Sequence, residues 1–397
     1  RRRRRRRRGQ PQHRRRRRHP RPAWRRSSPA SRASVFIEVQ DARIFGEEGI
    51  NEDATPNIFA DDLDLHQGYL AIDFSSGSLP VDLKVGRQKF NIGAQRLVSS
   101  LEWVNTARVW DGVRFDVGRS GERTFSAFAS RLVPVDPTEL LNGHGVTGNR
   151  LVDSYFYGAY FTAAGESLAS SLGLGEGGQL EAYWLYRHQG DAGDRVQTLG
   201  VRLTTTEGAW DVELKMAGQF GEWGDERHRA VMVHSALGYT STALNASRFG
   251  FAYNFGSGDS DPGDGTHQAF DNQYPLNHAY YGYMDFFALQ NLHNVEATFN
   301  TSVVGGFNAR VAYQGFWLVE EDTDAWYNAG AGVLRQATED VASHVGSEID
   351  ITLQRSFWQG RLALAAGYGR FLSGQYVRDT GPSNDADFFY LQTRISR

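Results

Sequence analysis

The chain has 397 residues, of which 13% are aromatic and 44 are Gly, with no Cys. No apolar stretch approaches the roughly 18 residues that a membrane-spanning helix needs, so a membrane would have to be crossed by a closed barrel with every backbone polar group paired. The formal net charge of -3 hides an asymmetry: 17 of the 43 basic residues fall within positions 1–34, and from Val35 onward 26 basic residues stand against 46 acidic ones, a net of -20, which excludes nucleic acid as a partner of that part.

Residues 1–34 contain two Arg runs, Arg1–Arg8 and Arg14–Arg18, then a Pro-, Ser- and Ala-rich piece around Trp24. No apolar region or small-residue cleavage site follows the runs, so no secretory signal is legible. The segment reads as out-of-frame or disordered sequence standing where a signal peptide and a first strand or two are expected. A basic arm for lipopolysaccharide, anionic lipid or nucleic acid is the alternative.

From Val35 to Arg397 the pattern is that of one β domain. Segments of about ten residues alternate apolar and polar, separated by Gly-, Asp-, Asn- and Ser-rich breaks. They predict about sixteen strands, near 35–43, 65–74, 81–90, 108–117, 124–132, 153–162, 179–187, 195–204, 209–220, 229–240, 247–255, 292–302, 307–318, 345–354, 360–371 and 387–395. The clearest places Trp210, Val212, Leu214 and Met216 on one face and Asp211, Glu213, Lys215 and Gln219 on the other; a helix would scatter these charges around its circumference.

Alternation alone also suits two packed soluble sheets. Width decides between them, because a barrel of about sixteen strands is too wide for side chains to fill, so its lumen is expected to be wet and its apolar face to meet lipid. Tight connections at 75–80 and 119–123 against long ones at 44–64, 133–152, 256–290 and 319–344 fit short periplasmic turns and long outer loops. Trp103, Trp184, Trp210, Trp317 and Trp358 lie near strand ends, where they suit interfacial girdles or loop packing equally.

The run GRQKFNIGAQRLVSSLEWVNTARVWDGVRF, from Gly86 to Phe115, resembles the signature of the alginate export family of outer-membrane porins. FIEVQDARIFG (Phe36–Gly46), DAWYNAGAG (Asp324–Gly332), HVGSEIDITLQRSF (His344–Phe357) and DADFFYLQTR (Asp385–Arg394) are similar in order and spacing. The resemblance implies a monomeric all-β transmembrane antiparallel barrel of eighteen strands in the bacterial outer membrane. In the family's characterised branch it implies export of an anionic uronate polysaccharide through an Arg-lined constriction. Sixteen legible strands and an end at Ser396-Arg397 lead to the expectation that both ends are shortened.

By that match, Arg87, Arg96, Arg108 and Arg114 are the candidate lumen residues, with Asn91, Gln95 and Asp111 beside them. The planar guanidinium pairs bidentately with carboxylate and stays charged at any relevant pH, so clustered Arg in a narrow pore selects anions. The stretch between Arg87 and Arg96 is expected to fold inward. The competing role is bracing the wall against acids such as Asp82 and Asp116. Strand parity puts Lys84, Arg108, Arg114, Arg202, Lys215, Arg248, Arg310 and Arg394 in the lumen with Asp82, Asp116, Glu181, Asp211, Glu213, Glu296, Glu348 and Asp350, a balanced set rather than a polybasic tube.

The loop DSDPGDG offers Asp259, Asp261 and Asp264 as oxygen ligands for a structural calcium or, equally, as turn formers. No other cofactor is expected. His234 and Ser235 are adjacent, so in a strand they point to opposite faces and form no catalytic pair. The expected function is passive passage of an anionic polysaccharide or oligosaccharide, with a periplasmic export partner as a corollary. The alternatives are a general or hydrocarbon-type small-solute porin and a surface adhesin or receptor.

Overall fold

A computed structural model describes residues 32–45, 59–75, 79–119, 121–136, 141–144, 154–164 and 177–396. The Arg-rich segment up to Ser31 lies outside the described residues, as does most of the 44–64 connection.

The strands are β1 (Arg32–Ala42), β2 (Asp61–Asp73), β3 (Val81–Gln88), β4 (Val109–Gly118), β5 (Arg123–Val133), β6 (Ser154–Ala164), β7 (Gln179–Gln189), β8 (Asp194–Glu207), β9 (Trp210–Trp223), β10 (Glu226–Ser241), β11 (Ser247–Gly256), β12 (Thr266–His267), β13 (Leu292–Val303), β14 (Phe307–Trp317), β15 (Trp326–Tyr327), β16 (Val333–Arg335), β17 (His344–Phe357), β18 (Leu362–Ser373) and β19 (Ala386–Ile395). Among the described residues one five-residue α-helix, α1 (Gln375–Asp379), sits between the last two. Sixteen of the strands, β1–β11, β13, β14 and β17–β19, form one antiparallel meander in chain order. The legible alternation found each of them. Strands β12, β15 and β16 are only two or three residues long and were not legible.

Successive turns fall at opposite ends of the meander, and the three longest described connections, 89–108, 257–291 and 318–343, share one end. At the other end several are tight: 208–209 joins β8 to β9, with Gly208 at φ 58, a value that only a residue without Cβ adopts freely.

Alternation gives each strand an apolar outer face and a polar inner one. Leu199, Val201, Met216, Phe249, Phe251 and Ile351 are exposed on the outside. Aromatic pairs cross neighbouring strands there, Trp210 on Tyr239 at 4.8 Å and Phe249 on Phe299 at 5.0 Å between ring centres.

The expectation of a wet lumen needs correction at the long-loop end. There the inner face carries Trp110, Leu132, Phe156, Leu185, Phe316, Val345 and Phe371, and these pack with Phe90, Leu97, Val98, Phe270, Tyr274, Phe287 and Trp326 from the long loops into one buried cluster. The strand wall is too wide to fill itself, but loops of this length reach in and fill it. Toward the short-turn end the inner wall stays polar, and Asp211 and Arg248 remain about a third exposed.

A lipid-facing charge tests this orientation. Phe251→Arg is expected to lower folding stability by about 2–4 kcal/mol in vesicles, whereas Gln354→Arg on the inner wall changes it by about 0.5 kcal/mol or less; urea titration of refolded protein measures both.

Candidate functional site

Segment 89–108 leaves β3 and folds into the lumen. The Asn91 Oδ1 accepts hydrogen bonds from the Ser100 backbone N–H at 2.7 Å and from its hydroxyl at 2.9 Å, and the Arg108 N–H bonds the Ser100 carbonyl at 2.6 Å. A bridge between Ile92 and Val98 closes its tip. Gln95 sits at that tip with φ 59, and its side-chain oxygen accepts from Ser99. These backbone groups have left the sheet, and the loop's own polar side chains satisfy several of them.

The tip docks on segment 257–291. Ser99 N–H bonds the Tyr274 carbonyl at 2.8 Å, Tyr274 N–H bonds the Leu97 carbonyl at 3.0 Å, and Leu276 N–H bonds the Gln95 carbonyl at 3.1 Å. The Tyr280 hydroxyl donates to the Ala94 carbonyl. Segment 318–343 braces the far side, with the Asn277 amide donating to the Ala329 carbonyl at 2.7 Å and the Trp326 indole to the Phe286 carbonyl at 2.8 Å. Three loops distant in sequence thereby pack together inside the wall.

The four candidate arginines separate into two kinds. Arg87 holds Asp111 bidentately, at 2.9 and 3.0 Å, approaches Asp64 at 3.7 Å, and donates to the Leu65 and Asn142 carbonyls. His144 completes the grip on Asp111 at 3.0 Å. Arg114 is closed onto Asp116. Both are wall braces. Arg96 and Arg108 lie in the inward loop and touch no carboxylate among the described residues. Arg96 is 6% exposed, stacks 3.8 Å from the Tyr280 ring centre and bonds Asn254 and His234. Arg108 spends one N–H on the Pro275 carbonyl at 2.9 Å. Its protein surroundings lower its pKa to about 10, so it stays cationic at neutral pH.

The balanced lumen charge becomes a ladder of pairs along the wall. Arg202 joins Glu181 and Glu213, each at 2.8 Å, Arg248 joins Asp211 at 2.6 Å, and Arg310 joins Glu296. Facing groups on adjacent strands are set by register, which brings Arg202 and Arg310 to their acids, while Arg248 of β11 reaches Asp211 of β9 across Gly238 of β10.

Arg108 opens onto a cavity of about 510 Å³ between the wall and the three loops. Leu132, Val133 and Pro134 make one side apolar; Gln273, Gln290 and Tyr274 supply polar groups, Arg187 is paired there with the lining acids Asp271 at 2.9 Å and Asp194 at 3.8 Å, and Trp223 and His267 form an aromatic edge. Such a mix of apolar lining and a few convergent polar groups is that of a small-molecule site. Arg187 was missed in the sequence, although its even spacing from Glu181, six positions on, could have placed it on the same inner face. Gln273, Tyr274 and His267 could not be placed in this way, because irregular loops have no period to read.

Asp259, Asp261 and Asp264 serve their own turns. The Asp259 Oδ1 accepts from Asp261 N–H at 3.4 Å, the Asp261 Oδ1 from Gly263 N–H at 3.2 Å, and the Asp264 Oδ1 from Thr266 N–H at 2.7 Å. Among the described residues no group of three or more His, Asp or Glu is arranged to hold a metal ion.

A search of curated proteins returns no match. Solved structures share the fold. OccK3 (OpdO) of Pseudomonas aeruginosa has a TM-score of 0.54 at 15% identity, over 84% of this chain and 81% of that one. OccK2 (OpdF) of the same organism, in complex with glucuronate, has 0.52 at 13%, over 82% and 80%. OpdK with vanillate, also from Pseudomonas aeruginosa, has 0.54 at 13%, over 84% and 78%. The family model for alginate export matches residues 1–390. The chain belongs to the alginate export family of outer-membrane porins, and it is therefore a channel of the bacterial outer membrane and not an enzyme.

Proposed function

We propose that this channel passes small organic carboxylates by diffusion, with Arg108 as the anion-attracting group. The observation that carries this reading is the contrast among the arginines. Arg87 and Arg114 are neutralised by Asp111 and Asp116, whereas Arg108 has no acid partner among the described residues and borders a cavity of about 510 Å³. A cation held near apolar walls attracts an anion more strongly than one in open water, because the local dielectric is lower. The cavity suits a single ring bearing a carboxylate. Two barrels of the same fold contain compounds of that chemistry, glucuronate and vanillate.

Family membership favours a second reading, passage of a polymeric uronate. Added polyuronate separates the two in planar bilayers: block by monomeric glucuronate but not by the polymer supports the first, and block by the polymer at lower uronate concentration supports the second.

Arg108→Ala is expected to reduce anion preference, read as a reversal potential closer to zero under a salt gradient; an unchanged potential would overturn the assignment. Arg87→Ala acts differently, because it leaves Asp64 and Asp111 without their cation. It is expected to cost about 3 kcal/mol of stability, measured as a lower denaturant midpoint.

A further inference from the structure

His267 is held in one tautomer by a chain of hydrogen bonds that starts at the backbone. Asp271 N–H donates to the Gln219 Oε1 at 2.8 Å, and the Asp271 carbonyl accepts from the Gln219 Nε2 at 2.7 Å. A backbone N–H only donates and a carbonyl only accepts, so the Gln219 amide has one orientation. His228 Nε2 lies 3.2 Å from that same Oε1 and must carry a proton to bond it. His228 is 1% exposed with no carboxylate in contact and is held as the neutral ring, so its Nδ1 is an acceptor. His267 Nδ1 lies 3.0 Å from it and must be the donor.

The neutral His267 ring then presents a bare lone pair at Nε2. That nitrogen has no hydrogen bond within the described residues, and the ring lines the cavity that Arg108 and Arg187 border. Trp223 stacks on the ring at 4.3 Å between centres with 4° between planes, which fixes its direction. Burial holds the His267 imidazole below the usual histidine range, against the pull of Asp259 and Asp271.

We propose that His267 is a specificity-determining residue whose Nε2 accepts a hydrogen bond from a solute hydroxyl while Arg108 takes the solute's carboxylate, so that the channel selects hydroxylated carboxylates. His228 and Gln219 are positioning residues that keep the acceptor bare. The inference rests on the carboxylate reading of Arg108. A carboxylate of similar size without hydroxyls leaves the Nε2 unpaired, and the difference is worth about tenfold in binding.

Single-channel block in planar bilayers tests this, since only folded barrels conduct. Wild-type protein is expected to bind glucuronate about tenfold more tightly than cyclohexanecarboxylate. His267→Phe keeps the stack on Trp223 and removes the acceptor, and the ratio is expected to fall to about one. His228→Leu frees the tautomer and is expected to lower the ratio part-way; it also decides the matter if His267→Phe yields no channels. A wild-type ratio retained in either variant overturns the role of His267. If neither acid blocks the wild-type channel, the carboxylate reading fails, and this inference with it.

Discussion

Backbone pairing in lipid governs the rest of this molecule. No water reaches the hydrocarbon layer to satisfy an open N–H or carbonyl, so strands crossing it must bond to neighbours along their length. Within the antiparallel meander from β1 to β19, registers run without interruption through most pairs, such as β9 with β10 and β13 with β14. Among the described residues, the long irregular segments 89–108, 257–291 and 318–343 fold inside the wall, where other protein groups satisfy much of their backbone.

The same constraint shapes the charges. A strand that crosses lipid can carry ionisable groups only on its inner face, and there a carboxylate or guanidinium is partly stripped of water, so each seeks a partner. Arg202 between Glu181 and Glu213, and Arg248 on Asp211, are the outcome. Pairing also removes these groups as attractors for a solute. On the inward loop, Arg108 meets a backbone carbonyl instead of an acid, and the proposed reading gives it the task of attracting the solute.

The inward loops have a second consequence. By packing Phe90, Phe270, Tyr274 and Phe287 against wall residues such as Trp110 and Phe316, they turn one end of a broad tube into a built interior. Phe287 lies 3.7 Å from the Phe316 ring centre, and Phe90 lies 5.3 Å from that of Trp110. A packed interior can hold side chains in single orientations, which is how Gln219, His228 and His267 come to form one directional chain.

The wall was legible because period-two alternation is a local property: Trp210 to Gln219 announces a two-faced strand without knowledge of its neighbours. Signature residues Arg87 to Arg114 were likewise visible, and the inward fold of the stretch between Arg87 and Arg96 was anticipated. Which arginine is neutralised was not, since Arg87 meets Asp111 across a strand pair and Arg108 meets Pro275 from a loop far along the chain. His267 stood outside any pattern. The sequence by itself determined the strands, their two faces and the membrane they suit, because those follow from side-chain period and backbone pairing. Only the tertiary structure decided which charges cancel and where a cavity is left, because loop docking brings residues together that no local period relates.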